Sequence, residues 1–176
     1  RVAACADAVN GDDSPWVIWC ELNAESDALT AAIPDAVEVR GSDDSKTKAD
    51  RMMAFSRGEI RVLVTKPKIA GFGMNWQHCA NVAFVGVTDS FESYYQSIRR
   101  CWRFGQTRRV KVHIFSSEAE GAVKSNLKRK EIAAMQMLDE LSRATREAVQ
   151  CEVLGASRPR SVYSGDKPVV VPGFLR

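Results

Sequence analysis

The sequence predicts an α/β protein in which a parallel sheet carries helices on both faces. Five short apolar runs rich in β-branched residues alternate with amphipathic helical patterns, an order typical of βαβ units. The chain has 176 residues, 45% of them hydrophobic, and a net charge of +3. This composition suits one globular domain and excludes a disordered chain. No apolar run reaches the roughly 18 residues of a membrane-spanning helix, so we expect no membrane partner.

Each predicted strand is a short apolar run bounded by turn residues. The strands are predicted at 17–20, 36–39, 60–65, 82–87 and 110–115. The helices are predicted at 23–33, 43–57 and 90–103, and a longer helical pattern covers 117–149. Asn23 and Ser90 are good N-caps, and Pro34 and Gly58 are typical stops. In such a sheet ligands bind at the carboxyl ends of the strands, so we expect the functional residues in the loops there.

The predicted order gives four segments. They are a leading helix or linker at 1–14, the core at 15–116, a long amphipathic basic helix at 117–150 and a flexible tail at 151–176. A heptad stripe in the long helix favours packing on its own domain over a partner helix; it contains Leu127, Leu138 and Leu141. The chain opens at Arg1 rather than Met, so we expect it to be part of a longer protein.

Cysteines, histidines and charge narrow the class of protein. The five scattered cysteines predict free thiols inside a cell, and no metal site is expected because His78 and His113 lack further ligands nearby. Cys101 has no neighbouring base that would make it a nucleophile.

Residues 1–50 carry 11 acidic and 4 basic side chains, whereas 99–130 carry 10 basic and 2 acidic. This uneven distribution of charge predicts a basic surface that binds a phosphate-bearing partner. An ordinary solvated face explains it about equally well.

The segment 94–106 carries the most informative pattern. On the predicted helix, Gln96, Arg100 and Arg103 lie at i, i+4 and i+7 and therefore share one face. Two guanidinium groups on one face form a clamp for phosphate oxygens. A surface salt-bridge face is the alternative, but Glu92 is the nearest acidic residue. For the aromatic residues Tyr94, Tyr95 and Trp102, packing on the sheet is favoured over stacking on bases.

A second pattern lies at 62–76, where a strand leads into a loop that contains glycines. Gly71 and Gly73 permit a backbone to approach an anion closely, although such a pair alone is more often a tight turn. Thr65 and Lys66 lie at the carboxyl end of the strand, where a hydroxyl and an ammonium reach phosphate. Trp76 follows and is expected either to pack in the core or to stack on a ligand.

The two patterns together resemble motifs V and VI of superfamily-two helicases, most closely the Swi/Snf-type DNA translocases. Every fixed position of motif VI, Q-x-x-x-R-x-x-R-x-G-Q, is matched between Gln96 and Gln106. Motif V ends G-x-G-x-N, matched by Gly71, Gly73 and Asn75. The resemblance covers about residues 15–116 and implies the second RecA-like lobe of a helicase, with a parallel sheet.

The resemblance also implies roles for single residues. Arg100 and Arg103 would be catalytic arginine fingers that reach the γ-phosphate of ATP. The ATP-binding residues would be Gln96, Gly71, Gly73 and Asn75. The nucleic-acid-binding residues would be Ser42, Thr65 and Lys66. The cofactors implied are ATP and Mg²⁺, with Mg²⁺ held by an N-terminal lobe that this chain lacks.

We therefore expect the C-terminal motor lobe of an ATP-dependent DNA helicase or translocase. The sequence contains no phosphate-binding motif of the form G-x-x-x-x-G-K-[ST], so the chain alone is expected to be inactive. The expected partners are duplex DNA and the N-terminal RecA-like lobe of the same parent, in a bacterial or phage-infected cytoplasm or in a nucleus. The alternatives are a strand-separating RNA or DNA helicase lobe, a non-catalytic nucleic-acid-binding module, and a degenerate lobe that contacts proteins through its long helix.

Overall fold

A computed structural model describes residues 1–70, 74–117 and 120–153 of the chain. The chain divides into two compact units, Arg1–Ile132 and Ala133–Arg176. Of the predicted tail, residues 154–176 lie outside the described part. None of the described helices is both long enough and apolar enough to cross a membrane.

Five parallel strands form one sheet in the first unit. They are β1 Trp16–Cys20, β2 Ala36–Glu38, β3 Val62–Thr65, β4 Asn81–Val85 and β5 Lys111–Phe115. Their order across the sheet is β2-β3-β1-β4-β5, and every neighbouring pair is parallel. The predicted strands are confirmed with ends that differ by one or two residues. The carboxyl ends of all five strands therefore lie along one edge.

The described residues contain five helices. They are α1 Val2–Asn10, α2 Asn23–Ala32, α3 Ser45–Ser56, α4 Phe91–Ile98 and α5 Gly121–Val153. Side chains of α1 and α2 pack on one face of the sheet, and side chains of α3 and α4 pack on the other. The predicted α/β class with helices on both faces is thus confirmed, and the long C-terminal helix is present.

The central strand β1 explains why the sheet is covered on both faces. Its five residues are all buried, and successive side chains alternate between the faces. Ile18 belongs to the cluster that includes α1 and α2, whereas Val17 and Trp19 belong to the cluster that includes α3 and α4. Burial of a large apolar side chain contributes about 1.5–3 kcal/mol, so β1 ties the two layers together.

The start of α2 differs from the prediction. Asn23 is the first helical residue rather than the N-cap, which is Leu22. The Glu25 carboxylate accepts from the Leu22 backbone N–H at 3.3 Å. This bond satisfies a backbone donor at the start of the helix. The Asn23 side chain instead accepts from Lys66 Nζ at 2.6 Å. The Ser90 cap of α4 is confirmed, with its hydroxyl accepting from the Ser93 N–H at 3.3 Å.

The end of α4 also differs from the prediction. The helix stops at Ile98, so the prediction that Gln96, Arg100 and Arg103 share one helical face is wrong. The Arg100 carbonyl, just past the end of the helix, accepts from the Trp76 backbone N–H at 2.9 Å. The next residue, Cys101, is fully buried. These tertiary contacts turn the chain away from the helix axis.

One leucine of the predicted stripe of α5 lies within the first unit and is buried there. Leu127 is buried, whereas Leu138 and Leu141 are exposed in the described part of the chain. Lys130, one turn after Leu127, donates to the Asp89 carbonyl. The stripe therefore contributes to the core of the first unit through Leu127.

Candidate functional site

The loop between α4 and β5, residues 99–109, is here called the arginine loop. It contains five arginines and no acidic residue. They are Arg99, Arg100, Arg103, Arg108 and Arg109. Among the described residues none of the five forms a salt bridge. Within the described part of the chain, no ion pair therefore neutralises the positive charge of this loop.

Arg100 is the arginine with the most unusual surroundings. It is half-buried, and its buried Nε lacks a hydrogen-bond partner among the described residues. Burial lowers the pKa of its guanidinium, and the positive charge of Arg103 lowers that pKa further. Guanidinium groups remain ionised at neutral pH despite such shifts. A half-buried guanidinium without an ion-pair partner among the described residues, beside an exposed one, is stabilised when an anion binds, so this pair has the chemistry of an anion site.

The arginine loop is fastened to the segment that precedes β4. The Gln106 side-chain amide donates to the carbonyls of Gln77, Cys79 and Cys101 at 2.8, 3.2 and 3.3 Å. Arg108 donates to the His78 carbonyl. Through these bonds and the one from Trp76 to Arg100, the structure brings the motif V and motif VI segments together. Sequence reasoning matched Gln106 to the motif but missed this anchoring role, for which spacing gives no signal.

Two of the predicted ATP-binding residues are described. Asn75 and Gln96 are both exposed, Asn75 beside Trp76 and Gln96 in the last turn of α4. Gly71 and Gly73 lie outside the described residues, so their predicted role stays a prediction. Asn75 immediately precedes Trp76, whose backbone N–H donates to the Arg100 carbonyl. Asn75 therefore lies one residue from a direct contact with Arg100.

Trp76 resolves one open expectation. Its ring is fully buried, with centroids 5.8 Å from Trp19 and 5.3 Å from Phe55. The indole Nε1 donates to Ser56 Oγ at 3.1 Å. Trp76 is therefore a core residue and not a stacking surface.

The predicted nucleic-acid residues lie at the carboxyl ends of β2 and β3. Lys66 extends to Asn23, which follows β1, and Ser42 is exposed in the loop after β2. A Cβ at Gly41 would lie 3.8 Å from Ile69 Cδ1, so the loops that follow β2 and β3 are in contact. Three neighbouring strand ends thus form one polar surface.

Thr65 does not belong to this polar surface. It is fully buried, and its hydroxyl donates to the Val39 carbonyl at 3.1 Å. Because β2 and β3 are neighbours, this bond extends their pairing by one residue beyond Glu38. The structure therefore does not bring Thr65 to where it would meet a phosphate.

Glu21, which the sequence did not single out, also lies at this edge, directly after β1. Burial raises the pKa of its carboxyl, and the charges of Lys68 and Lys66 oppose that shift. An acidic group on a basic edge limits where an anionic strand can lie. Position in the chain, one residue past a buried strand, was the signal that could have identified it.

The thiols and the exposed aromatic residues complete the description. The Cys101 thiol donates a hydrogen bond to Cys79, and this bond and burial both raise the pKa of Cys101, which leaves it a poor nucleophile at neutral pH. Tyr94 packs against Phe84 with ring centroids 4.8 Å apart, as predicted. Trp102 is exposed, so the prediction that it packs on the sheet is wrong. The early end of α4 is the reason, because Trp102 lies on the loop instead of on a helix face.

The fold and these motifs define a helicase lobe. The family described as helicase conserved C-terminal domain matches residues 8–105 of this chain. Because this span is more than half of the sequence, the chain belongs to the helicase conserved C-terminal domain family. The predicted identity is therefore confirmed at the level of a helicase C-terminal domain. No curated protein matches the chain in sequence.

Solved structures with the same fold include domains of two proteins, Fun30 and Dbp5. The C-terminal part of the Fun30 ATPase domain is 17% identical with a TM-score of 0.63, over 71% of this chain and 44% of that chain. The C-terminal domain of the DEAD-box protein Dbp5 is 16% identical with a TM-score of 0.61, over 73% and 77%. The Saccharomyces cerevisiae Dbp5 C-terminal domain bound to Gle1 and IP6 is 11% identical with a TM-score of 0.62, over 73% and 76%. This chain thus covers less than half of the Fun30 structure.

Proposed function

We propose that this domain is the second motor lobe of an ATP-dependent DNA translocase of the Swi/Snf type and that it works within a longer chain that carries the first RecA-like lobe. The observation that supports this proposal most directly is the pair Arg100 and Arg103. The two guanidinium groups lie on an anchored loop without a carboxylate partner in the described structure. Such a pair has unused capacity to bind phosphate oxygens.

In the proposed mechanism Arg100 and Arg103 act as arginine fingers. Their guanidinium groups would bind the oxygens of the γ-phosphate and stabilise the negative charge that develops during transfer. The hydrogen bonds of Gln106 hold the arginine loop in one conformation before ATP binds. The loop therefore adds little reorganisation cost when the transition state forms. When bound, ATP with Mg²⁺ supplies the phosphoryl group and the charge that screens it. Mg²⁺ would be held by the first lobe, and Gln96 and Asn75 would line the nucleotide cleft.

The proposed DNA-tracking surface is the polar edge formed by Ser42 and Lys66. An ammonium and a hydroxyl at neighbouring strand ends contact successive phosphates without reading bases. Lys66 is held by Asn23 at 2.6 Å, which fixes the position of its charge. We propose duplex DNA as the partner and a cytoplasm or a nucleus as the location.

The test is ATP hydrolysis by the parent chain, with and without duplex DNA, for wild type, Arg103→Ala and Arg109→Ala. Loss of an arginine finger removes a contact made in the transition state, so we expect kcat to fall about 10³-fold or more in Arg103→Ala. Affinity for DNA without nucleotide should stay within about twofold of wild type. Arg109→Ala removes an exposed arginine from the same loop and should leave kcat unchanged.

Normal hydrolysis by Arg103→Ala would refute the finger assignment. The basic surface at 99–130 favours a second candidate, a non-catalytic nucleic-acid-binding module. That candidate requires salt-sensitive binding and no turnover by the wild-type parent. If the parent is instead a strand-separating RNA helicase, RNA and not duplex DNA would stimulate turnover.

A further inference from the structure

Two large aromatic side chains of the arginine loop are exposed to solvent. Phe104 is fully exposed and Trp102 is 51% exposed, while every other aromatic side chain of the described residues is buried or half-buried. Exposed aromatic rings are informative because they lose hydrophobic free energy unless something covers them. Aromatic residues are also enriched where proteins bind each other.

The rings stand on a rigid support. Gly105 has a φ of +94° and packs so closely on Gln77 that a Cβ would lie 3.2 Å from the Gln77 amide nitrogen. Gln77 donates to the Phe104 carbonyl, and the Arg99 guanidinium lies 5.3 Å from the Trp102 ring centroid. A loop held in this way pays little conformational entropy when a partner binds.

The surroundings indicate the charge of the partner. The loop that presents the rings carries five arginines and no acidic side chain. A surface that fits it must offer apolar contacts at its centre and negative groups at its rim. The loop is thus complementary to an apolar socket surrounded by carboxylates or phosphates.

Arg103 lies between the two rings in the chain, with neighbouring Cα atoms about 3.8 Å apart. The three exposed side chains therefore leave the same short stretch of the arginine loop. We infer that Trp102 and Phe104 are the apolar anchor with which this domain docks on the first motor lobe when the two lobes close around nucleotide. This inference rests on the proposed function, because it takes from it the lobe that Arg103 approaches.

The test uses the parent chain with fluorophores on its two lobes. Closure is followed by energy transfer while a non-hydrolysable ATP analogue is added. In the double variant Trp102→Ala with Phe104→Ala, the nucleotide concentration for half-closure should rise about tenfold or more, and kcat/KM for ATP should fall in proportion. Phe104→Leu should retain most of the closure, because a leucine side chain fills an apolar socket.

Met53→Ala is the matched control, since Met53 is 48% exposed on α3 and lies outside the loop; it should close as wild type does. Closure of the double variant at the wild-type nucleotide concentration would overturn the inference. If Arg103→Ala hydrolyses ATP normally, the proposed function fails. If Arg103→Ala is inactive and the double variant is normal, only the docking inference fails.

A different partner would give a different result. Weaker DNA binding by the double variant in the absence of nucleotide, with closure unchanged, would assign the rings to base stacking and overturn the inference. Phe104→Leu would then resemble Phe104→Ala, because a leucine has no flat face on which a base stacks.

Discussion

At the scale of single residues, two tryptophans show how position decides the role of one side chain. Trp76 is fully buried between Trp19 and Phe55, whereas half of the Trp102 surface remains in solvent. We expect Trp76→Ala to lower the free energy of unfolding by about 3–5 kcal/mol, because it leaves a cavity in the core. Urea unfolding of the domain followed by circular dichroism measures this change.

Trp102→Ala is the matched control in the same experiment. It removes the same side chain from the surface, where the lost contact with Arg99 contributes less than about 1 kcal/mol. Equal destabilisation by the two variants would contradict the assigned packing. The sequence alone left the role of Trp76 open between core and stacking, because an indole ring suits either and only the neighbours distinguish them.

At the scale of secondary-structure elements, the arginine loop depends on one glycine. Gly105 has positive φ and contacts Gln77. A residue with a Cβ is strained in this conformation, so Gly105→Ala should destabilise the domain by about 1–3 kcal/mol. Thermal or urea unfolding gives the value, and the same variant should lower ATP turnover of the parent because the loop carries Arg103.

Gly121 provides the control for that substitution. It begins α5 without positive φ, and a Cβ there would meet no atom within 4 Å. Ala favours a helix over Gly by up to about 1 kcal/mol, so Gly121→Ala should be neutral or stabilising. A stabilising effect of Gly105→Ala would show that the loop adopts another conformation.

Elements differ in how far sequence predicts them. Strands β1, β3 and β4 are continuous apolar runs, and buried strands of a parallel sheet follow that pattern closely. The end of α4 was missed because Gln96, Arg100 and Arg103 have helical spacing. Local spacing does not contain the tertiary bond from Trp76 to Arg100, which forms just after the helix ends. The arginines are brought together by a loop fastened to β4, which no pattern within 94–106 encodes.

At the scale of the whole molecule, acidic residues are in excess at 1–50 and basic residues are in excess at 99–130. Binding of a polyanion to such a surface weakens with salt, with a slope of about −0.9 in log–log form for each phosphate contacted. We expect Lys66→Ala to lower the magnitude of this slope by about one. Fluorescence anisotropy of labelled duplex DNA at several salt concentrations measures it.

Lys111→Ala is the control for the salt experiment. Lys111 is exposed at the amino end of β5, opposite the edge that carries Lys66, and its removal should leave the slope unchanged. An unchanged slope in Lys66→Ala would exclude this lysine from the DNA surface.

The sheet and its helices were predictable at this scale because βαβ alternation permits few topologies, whereas the burial of Thr65 depends on a bond to a neighbouring strand.

The arginine loop separates the residues that hold its shape from the residues that it presents. The Gln106 side chain and the backbone of Arg100 and Phe104 make the bonds that hold the loop. Among the described residues, the side chains of Trp102, Arg103 and Phe104 form no hydrogen bond. Changes in the presented side chains therefore leave the frame intact. Over evolution, a loop of this kind can present different side chains to different partner surfaces, because a change in those side chains does not alter the fold.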